Sequence, residues 1–146
     1  MDNIKVVYVP VVSLITSTYN PRKWNEVQKN ALKESITKFG VVDPIICNSA
    51  KERMNVVIGG HFRLTVAKEL GFTELPVVYV NISDIEKEKE LNVRLNKNLG
   101  EFDFSLLKDF GEEFLAEVGF TTEELDNIFA IDPTPEQFDL KRELDK

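Results

Sequence analysis

One cysteine, one histidine and one tryptophan are all the chain contains of each, and these scarcities remove whole classes of chemistry. A lone Cys47 cannot close an internal disulfide, and its place in the run Pro44-Ile45-Ile46-Cys47 marks it as a buried small hydrophobe rather than a reactive thiol. A lone His61 excludes a multi-histidine metal cluster. Nowhere do the carboxylates cluster at the spacing of a metal site, which argues against nuclease chemistry. Long apolar runs and a signal-peptide pattern are both missing, so the expectation is a cytoplasmic protein without membrane contact. Positive charge is short too: 18 Lys and Arg against 25 Asp and Glu leave a net charge of -7. A grip on nucleic acid across the whole surface needs the opposite balance, and only Lys51, Arg53, Arg63 and Lys68 form a small basic group for phosphate contacts.

What is present suffices for one core, since 42% of the 146 residues are hydrophobic. The pattern predicts an α+β chain, a mixed sheet with interspersed helices. A first strand is expected over 4–12, broken at Pro10, with a second apolar stretch over 11–15 and a loop over 17–22. A helix over 25–39 turns Val27, Ala31, Ile36 and Phe39 inward and stops at Gly40. Strands over 44–48 and 54–58 flank the polar turn 49–53 as a hairpin. A helix over 61–70 ends at Gly71, a strand follows over 76–80, and a charged helix over 84–98 repeats Leu91, Leu95 and Leu99 at four-residue spacing. Another helix, 104–118, sets Phe104, Leu107, Phe110, Phe114 and Val118 on one face, as core or as a partner-binding stripe. Trp24 reads as core. A short helix covers 121–129, and residues 131–146 hold too few apolar side chains to fold alone. The domain expectation is 1–100 as the α+β domain, 101–130 as a helical extension and 131–146 as a charged linker or tail.

The helix starts are not alike. Asn25 with Gln28, Ser83 with Glu86, Asp103, and Thr121 with Glu124 supply capping side chains. The helix after Val56-Val57-Ile58 opens instead on Gly59-Gly60-His61-Phe62-Arg63, with no cap at all. Helix starts expose about four N–H groups and the positive end of the dipole, glycine admits a ligand near the backbone, and Arg63 adds a forked cation. A phosphate fits that combination, whereas a glycine pair alone would indicate only a tight turn. His61 either contacts the phosphate or caps its own helix. Arg22, stiffened by Asn20-Pro21, either reaches across the site or is a solvated loop residue. Asn92 with Asn96, and Arg94 with Asn98, share helix faces, as site residues or as exposed polar surface.

The order of Asn20-Pro21-Arg22, Ser35-Ile36-Thr37-Lys38-Phe39-Gly40-Val41, Pro44-Ile45, the Gly59-to-Arg63 turn and Pro76-Val77 resembles the ParB N-terminal domain over residues 4–100. The resemblance implies a ParB/sulfiredoxin-like fold with a C-terminal helical extension. In that family a Gly-Glu-Arg-Arg motif opens the equivalent helix on the triphosphate of CTP, and sulfiredoxins bind ATP with Gly-Gly-Cys-His-Arg. It therefore implies a nucleoside triphosphate, CTP or ATP, with Mg2+, held by Gly59, Gly60, His61, Phe62 and Arg63. Arg22 and Asn96 or Asn98 would close the site, and Pro44 and Ile45 would lie near the base. Phe62 replaces a second polar or basic residue, which implies a weaker grip. His61 stands where sulfiredoxin has its cysteine, which argues against sulfiredoxin activity. No glutamate sits beside Asn96 or Asn98 as in the metal-holding pair of partitioning ParB proteins, which argues against CTP hydrolysis.

The stretch from Leu95 to Asp103, followed by Gly119-Phe120-Thr121 and an acidic helix, is similar to the ParB-like domains of phages and mobile elements that often precede a DNA methyltransferase. The implied role is a nucleotide-switched domain in DNA partition, modification or regulation of such an element. DNA would be reached through a fused or separate partner, a methyltransferase among the candidates, since the tail is too short and acidic for a helix-turn-helix. A homodimer stays open, as does the choice between a free-standing protein and part of a longer one. Two other readings stay open: an NTPase or nucleotide-dependent phosphotransferase with Glu34 or Glu101 as base, and a non-catalytic interaction module.

Overall fold

The structure is a computed structural model that describes residues 3–20, 23–97 and 101–129. The chain divides into two compact units, Met1–Gly100 and Glu101–Lys146. The first is α+β. Its four-stranded sheet has the order β1-β4-β2-β3, with β1 Val7–Pro10, β2 Ile45–Asn48, β3 Val57–Gly59 and β4 Glu74–Val80. β4 pairs antiparallel with β1 and parallel with β2, while β2 and β3 are antiparallel. β-branched side chains supply much of the pleated surface, as strand preference requires. Val9, Ile45, Cys47, Val57, Leu75 and Val77 of the sheet pack with Leu64 and Ala67 of a helix into one buried cluster. Each Val, Ile and Leu among them contributes on the order of 1.5–3 kcal/mol by leaving water. Cys47 is fully buried, and that burial pushes its thiol up to about 12, in keeping with an inert role.

Helix α1, Glu26–Phe39, starts with the expected capping box: Asn25 accepts from the Gln28 amide and the Gln28 side chain accepts from the Asn25 amide. It ends at Gly40, whose φ of 79° is left-handed. Only Ile36 of its expected inner face is buried; Val27 and Phe39 are exposed. Lys29 and Lys33 both reach Glu69 on α2, His61–Glu69, at 2.5 and 3.0 Å. The hairpin forms with two changes: its connection tightens into a 3-10 turn at Lys51–Arg53, and its second strand begins at Val57, leaving Met54 exposed. The first strand is likewise shorter than expected, since Val11–Ser13 also forms a 3-10 turn beyond Pro10. α3 runs Ile85–Lys97, and the residue that caps it is Asp84, whose carboxylate accepts from the Glu86 amide, not Ser83.

In the second unit the single long helix is replaced by two short ones, α4 Phe104–Lys108 and α5 Glu112–Glu117, followed by α6 Thr122–Phe129. Gly111, at φ 87°, breaks the first two apart, though Phe110 and Phe114 still stack across the break with centroids 5.5 Å apart. Leu107, Leu115, Leu125 and Ile128 form the core of this unit, whereas Phe110, Phe114 and Val118 stay largely exposed. The expected caps hold at Asp103 and at Thr121 with Glu124. The tail 131–146 lies outside the described residues. Among the described residues no helix is long and apolar enough to cross a membrane.

Candidate functional site

The turn from β3 into α2 is built from two glycines with different duties. A Cβ on Gly59 would lie 3.2 Å from Leu95 Cδ1, so its bareness lets α3 pack across the strand end. Gly60 sits at φ 97°, where other residues are strained, and a Cβ there would meet Ile45 Cδ1 at 2.8 Å and Arg63 Nη2 at 2.9 Å. Both glycines thus have packing reasons, and it is the groups around them that could hold a ligand. α2 begins with no side-chain cap; its first intrahelical bond runs from the Leu64 amide to the Gly60 carbonyl. The helix starts in a cleft of about 360 Å³, a volume suited to a small ligand.

Arg63 folds its guanidinium back over Gly60. Its Nη2 donates to the Pro44 carbonyl at 2.9 Å, and Nη1 stands 3.4 Å from Asp43 Oδ2. The cation is therefore fixed at the cleft between the helix start and the segment before β2. On the far side, α3 turns Asn92 and Asn96 into the lining. Asn92 is fully buried, correcting the exposed-surface reading: its Nδ2 donates to the Ile58 carbonyl at 2.8 Å, while its Oδ1 has no hydrogen-bond partner among the described residues. Asn96 Nδ2 donates to the Asn92 carbonyl. Trp24 is not core but a half-buried wall of the cleft, stacked on Phe62 with centroids 4.5 Å apart.

His61 does not cap its helix. Its Nε2 accepts from the Ser17 amide at 3.3 Å and lies 2.9 Å from Ser17 Oγ. An amide can only donate, so Nε2 carries no proton and the neutral ring holds its hydrogen on Nδ1. Burial keeps the proton affinity of the ring below its ordinary value.

The structure thus brings Gly59, Gly60, His61, Phe62, Arg63 and Asn96 to one cleft. Pro44 takes part through its carbonyl, but Ile45 is fully buried in the core, because it lies on the inner face of β2; Asp43 lines the cleft in its place. Arg22 and Asn98 lie outside the described residues. Of the two suggested bases, Glu34 pairs with Lys38 on the surface and Glu101 is exposed. Arg94 is exposed and bonded to Glu90.

A buried polar network on α3 was not among the expectations. Glu88, fully buried on α3, accepts from Tyr19 Oη at 2.5 Å, Asn48 Nδ2 at 2.8 Å, Arg53 Nε at 3.1 Å and Arg53 Nη2 at 2.7 Å. Burial pushes its carboxyl up, but the bonds from Arg53, Tyr19 and Asn48 outweigh that and hold it below the ordinary range. Arg53 is consequently committed to Glu88, though still partly exposed, which removes it from the basic group expected to meet phosphates. The clue was the stripe Glu88, Asn92 and Asn96, polar residues at helical spacing, which faces inward here.

Known proteins place this architecture. The family model for the ParB N-terminal domain matches residues 1–99. A nucleoid occlusion protein of Geobacillus thermodenitrificans is 30% identical over 79 residues, which is 53% of this chain and 28% of that protein. The chain therefore spans less than a third of such relatives. The ParB-like nuclease domain-containing protein YnaK of Escherichia coli is 29% identical over 89 residues, covering 60% of this chain and 98% of that protein. Among solved structures, the C-terminally truncated chromosome-partitioning protein ParB of Caulobacter crescentus, complexed with CTP-gamma-S, superposes with a TM-score of 0.65 at 18% identity, over 91% of this chain and 82% of that one. With the fold and a family model spanning more than half its length in agreement, the chain belongs to the ParB N-terminal domain family.

Proposed function

We propose that this chain binds a nucleoside triphosphate with its phosphates at the start of α2, and that the bound nucleotide acts as a switch. The observation that carries the reading is the uncapped start of α2, opening into a cleft beside the fixed guanidinium of Arg63. A helix start with this geometry favours an anion through its amides and its dipole, and a guanidinium adds charge-assisted bonds. The ParB relative holding a CTP analogue supports a nucleotide as the source of the phosphates. The residues present also fit an accompanying Mg2+, which uses one or two carboxylates and keeps its other positions for phosphate and water. Asp43 is a carboxylate in the cleft lining and the residue to hold such an ion. Phe62, where a basic residue would strengthen the grip, stacks on Trp24 and leaves Arg63 as the principal cation.

The wider role we infer is in DNA partition, modification or regulation of a phage or mobile element, by a cytoplasmic protein that meets DNA through a fused or separate partner. The relation to nucleoid occlusion and chromosome-partitioning proteins supports a task on DNA. The net charge of -7 supports contact through a partner.

Calorimetric titration with CTP, ATP, GTP and UTP, each with and without Mg2+, tests the reading. One nucleotide is expected to bind, and Arg63→Ala to weaken it by roughly tenfold to a hundredfold, the value of losing about 1.5–3 kcal/mol of charged hydrogen bonding. Flat titrations, or an affinity indifferent to Arg63→Ala, would overturn it.

A further inference from the structure

We propose that Ser17 is a phosphoryl acceptor: its hydroxyl, with His61 as general base, takes the terminal phosphoryl group of a nucleoside triphosphate held at the start of α2. The protein would thereby phosphorylate itself. This inference rests on the nucleotide reading above and adds a covalent step to it.

The geometry points to Ser17 for three reasons. Its Oγ lies 2.9 Å from His61 Nε2, and its own amide donates to the same nitrogen at 3.3 Å. With Nε2 unprotonated, the hydroxyl can donate in that short contact, which is the arrangement a base needs in order to take a proton; its other acceptor is Tyr19, which gives its own proton to Glu88. His61 is also the first residue of α2, so this base is rooted in the turn that would receive the phosphates. Burial keeps the imidazole neutral and so able to accept a proton at neutral pH. A separate observation points to a ligand in the same cleft. Asn92 is fully buried in its wall with Oδ1 unpartnered among the described residues, a state that costs about 1–3 kcal/mol and is relieved by a ligand N–H or O–H, such as a ribose hydroxyl or an amino group of a base.

In the step, Ser17 Oγ bonds the terminal phosphorus while the bond from that phosphorus to its bridging oxygen breaks. The nucleoside diphosphate leaves with the electron pair of the broken bond. The hydroxyl proton passes to His61 Nε2 and from there to water. The product is a phosphoserine whose charge of about -1.5 to -2 stands beside the start of α2 and repels a second triphosphate. Nucleotide binding would then limit itself.

The full chain, incubated with each of the four nucleoside triphosphates and Mg2+, is weighed intact by mass spectrometry, and its peptides are sequenced. Gain of one phosphoryl group at Ser17 is expected. Ser17→Ala should abolish it yet bind nucleotide within about twofold of the unaltered chain, because the residue 17 amide still holds the ring. Ser17→Thr should restore labelling. Nucleotide saturation without modification, or modification elsewhere, overturns the inference and leaves the binding reading intact; absence of nucleotide binding overturns both. A readout without nucleotide is the 15N spectrum of the sole imidazole. A proton on Nδ1 is expected, and a proton on Nε2 overturns the inference.

Discussion

Gly60 carries two constraints at once, a left-handed backbone and a crowded Cβ direction, and a second glycine separates them. Gly71 has a similar φ of 87°, but a Cβ there would meet nothing within 4 Å. Gly71→Ala therefore tests backbone strain alone, and Gly60→Ala tests strain plus collision with Ile45 and Arg63. Denaturant unfolding should show a loss of about 1 kcal/mol for Gly71→Ala and about 2–3 kcal/mol for Gly60→Ala. Equal losses would mean that the Gly60 turn relaxes without resistance. His61 supplies a pH prediction. Its folded affinity for protons lies below the unfolded value near 6.5, so the neutral ring favours the folded state. That contribution is complete above pH ~6.5 and is lost as pH falls through the depressed folded value. Proton NMR of the single imidazole should place its midpoint below that of a model peptide; a midpoint at or above it would contradict the burial argument. At this scale the sequence was informative about the turn itself, because its uncapped start contrasts with the capped starts of α1, α4 and α6, although α5, opening at Gly111, is uncapped as well. It could not show that Ile45 is core or that His61 spends Nε2 on Ser17, since both depend on segments brought together by the sheet.

Among the elements, α3 departs most from sequence patterning. Its leucine spacing was readable, but polar residues at helical spacing normally read as solvent-facing, and here Glu88 and Asn92 are fully buried. What reverses the pattern is a set of partners distant in sequence: Tyr19 from the loop before α1, Asn48 from β2 and Arg53 from the hairpin. Removing one partner of a buried charge leaves the other uncompensated, so Arg53→Met should destabilise the chain. The loss should sit below the ~3–5 kcal/mol of a wholly buried pair because the Arg53 side chain is 27% exposed. Because the Glu88 carboxyl is held below its ordinary range, its stabilisation is present above that range and lost as pH falls through the folded value. Chemical denaturation at pH 7 and at pH 4 should therefore show a smaller Arg53→Met penalty in acid; a penalty independent of pH would place the effect in packing alone. The helix over 104–118 failed for another reason. Its phenylalanines keep helical spacing through Gly111, but a glycine with positive φ ends the helix and lets Leu107 and Leu115 make the core.

For the molecule as a whole, the succession of strands, capped helices and the glycine turn was legible, and it was enough to place the chain in its family. The strand order β1-β4-β2-β3 was not, because pairing β2 beside β4 depends on a crossover that local patterns do not record. The lining of the cleft was half legible: Gly59 to Arg63 and Asn96 were among the expected residues and Asn92 was left open between site and surface, while Asp43 and Trp24 emerged only when the elements were assembled. In the proposed function this assembly holds phosphates at the start of α2. Backbone amide NMR of the 15N-labelled chain, titrated to saturation with CTP or ATP and Mg2+, tests it most directly. The largest shifts are expected on the amides of Gly60, His61, Phe62 and Arg63, with Asn92 and Asn96 following; saturable binding that leaves those amides unmoved would overturn the proposal.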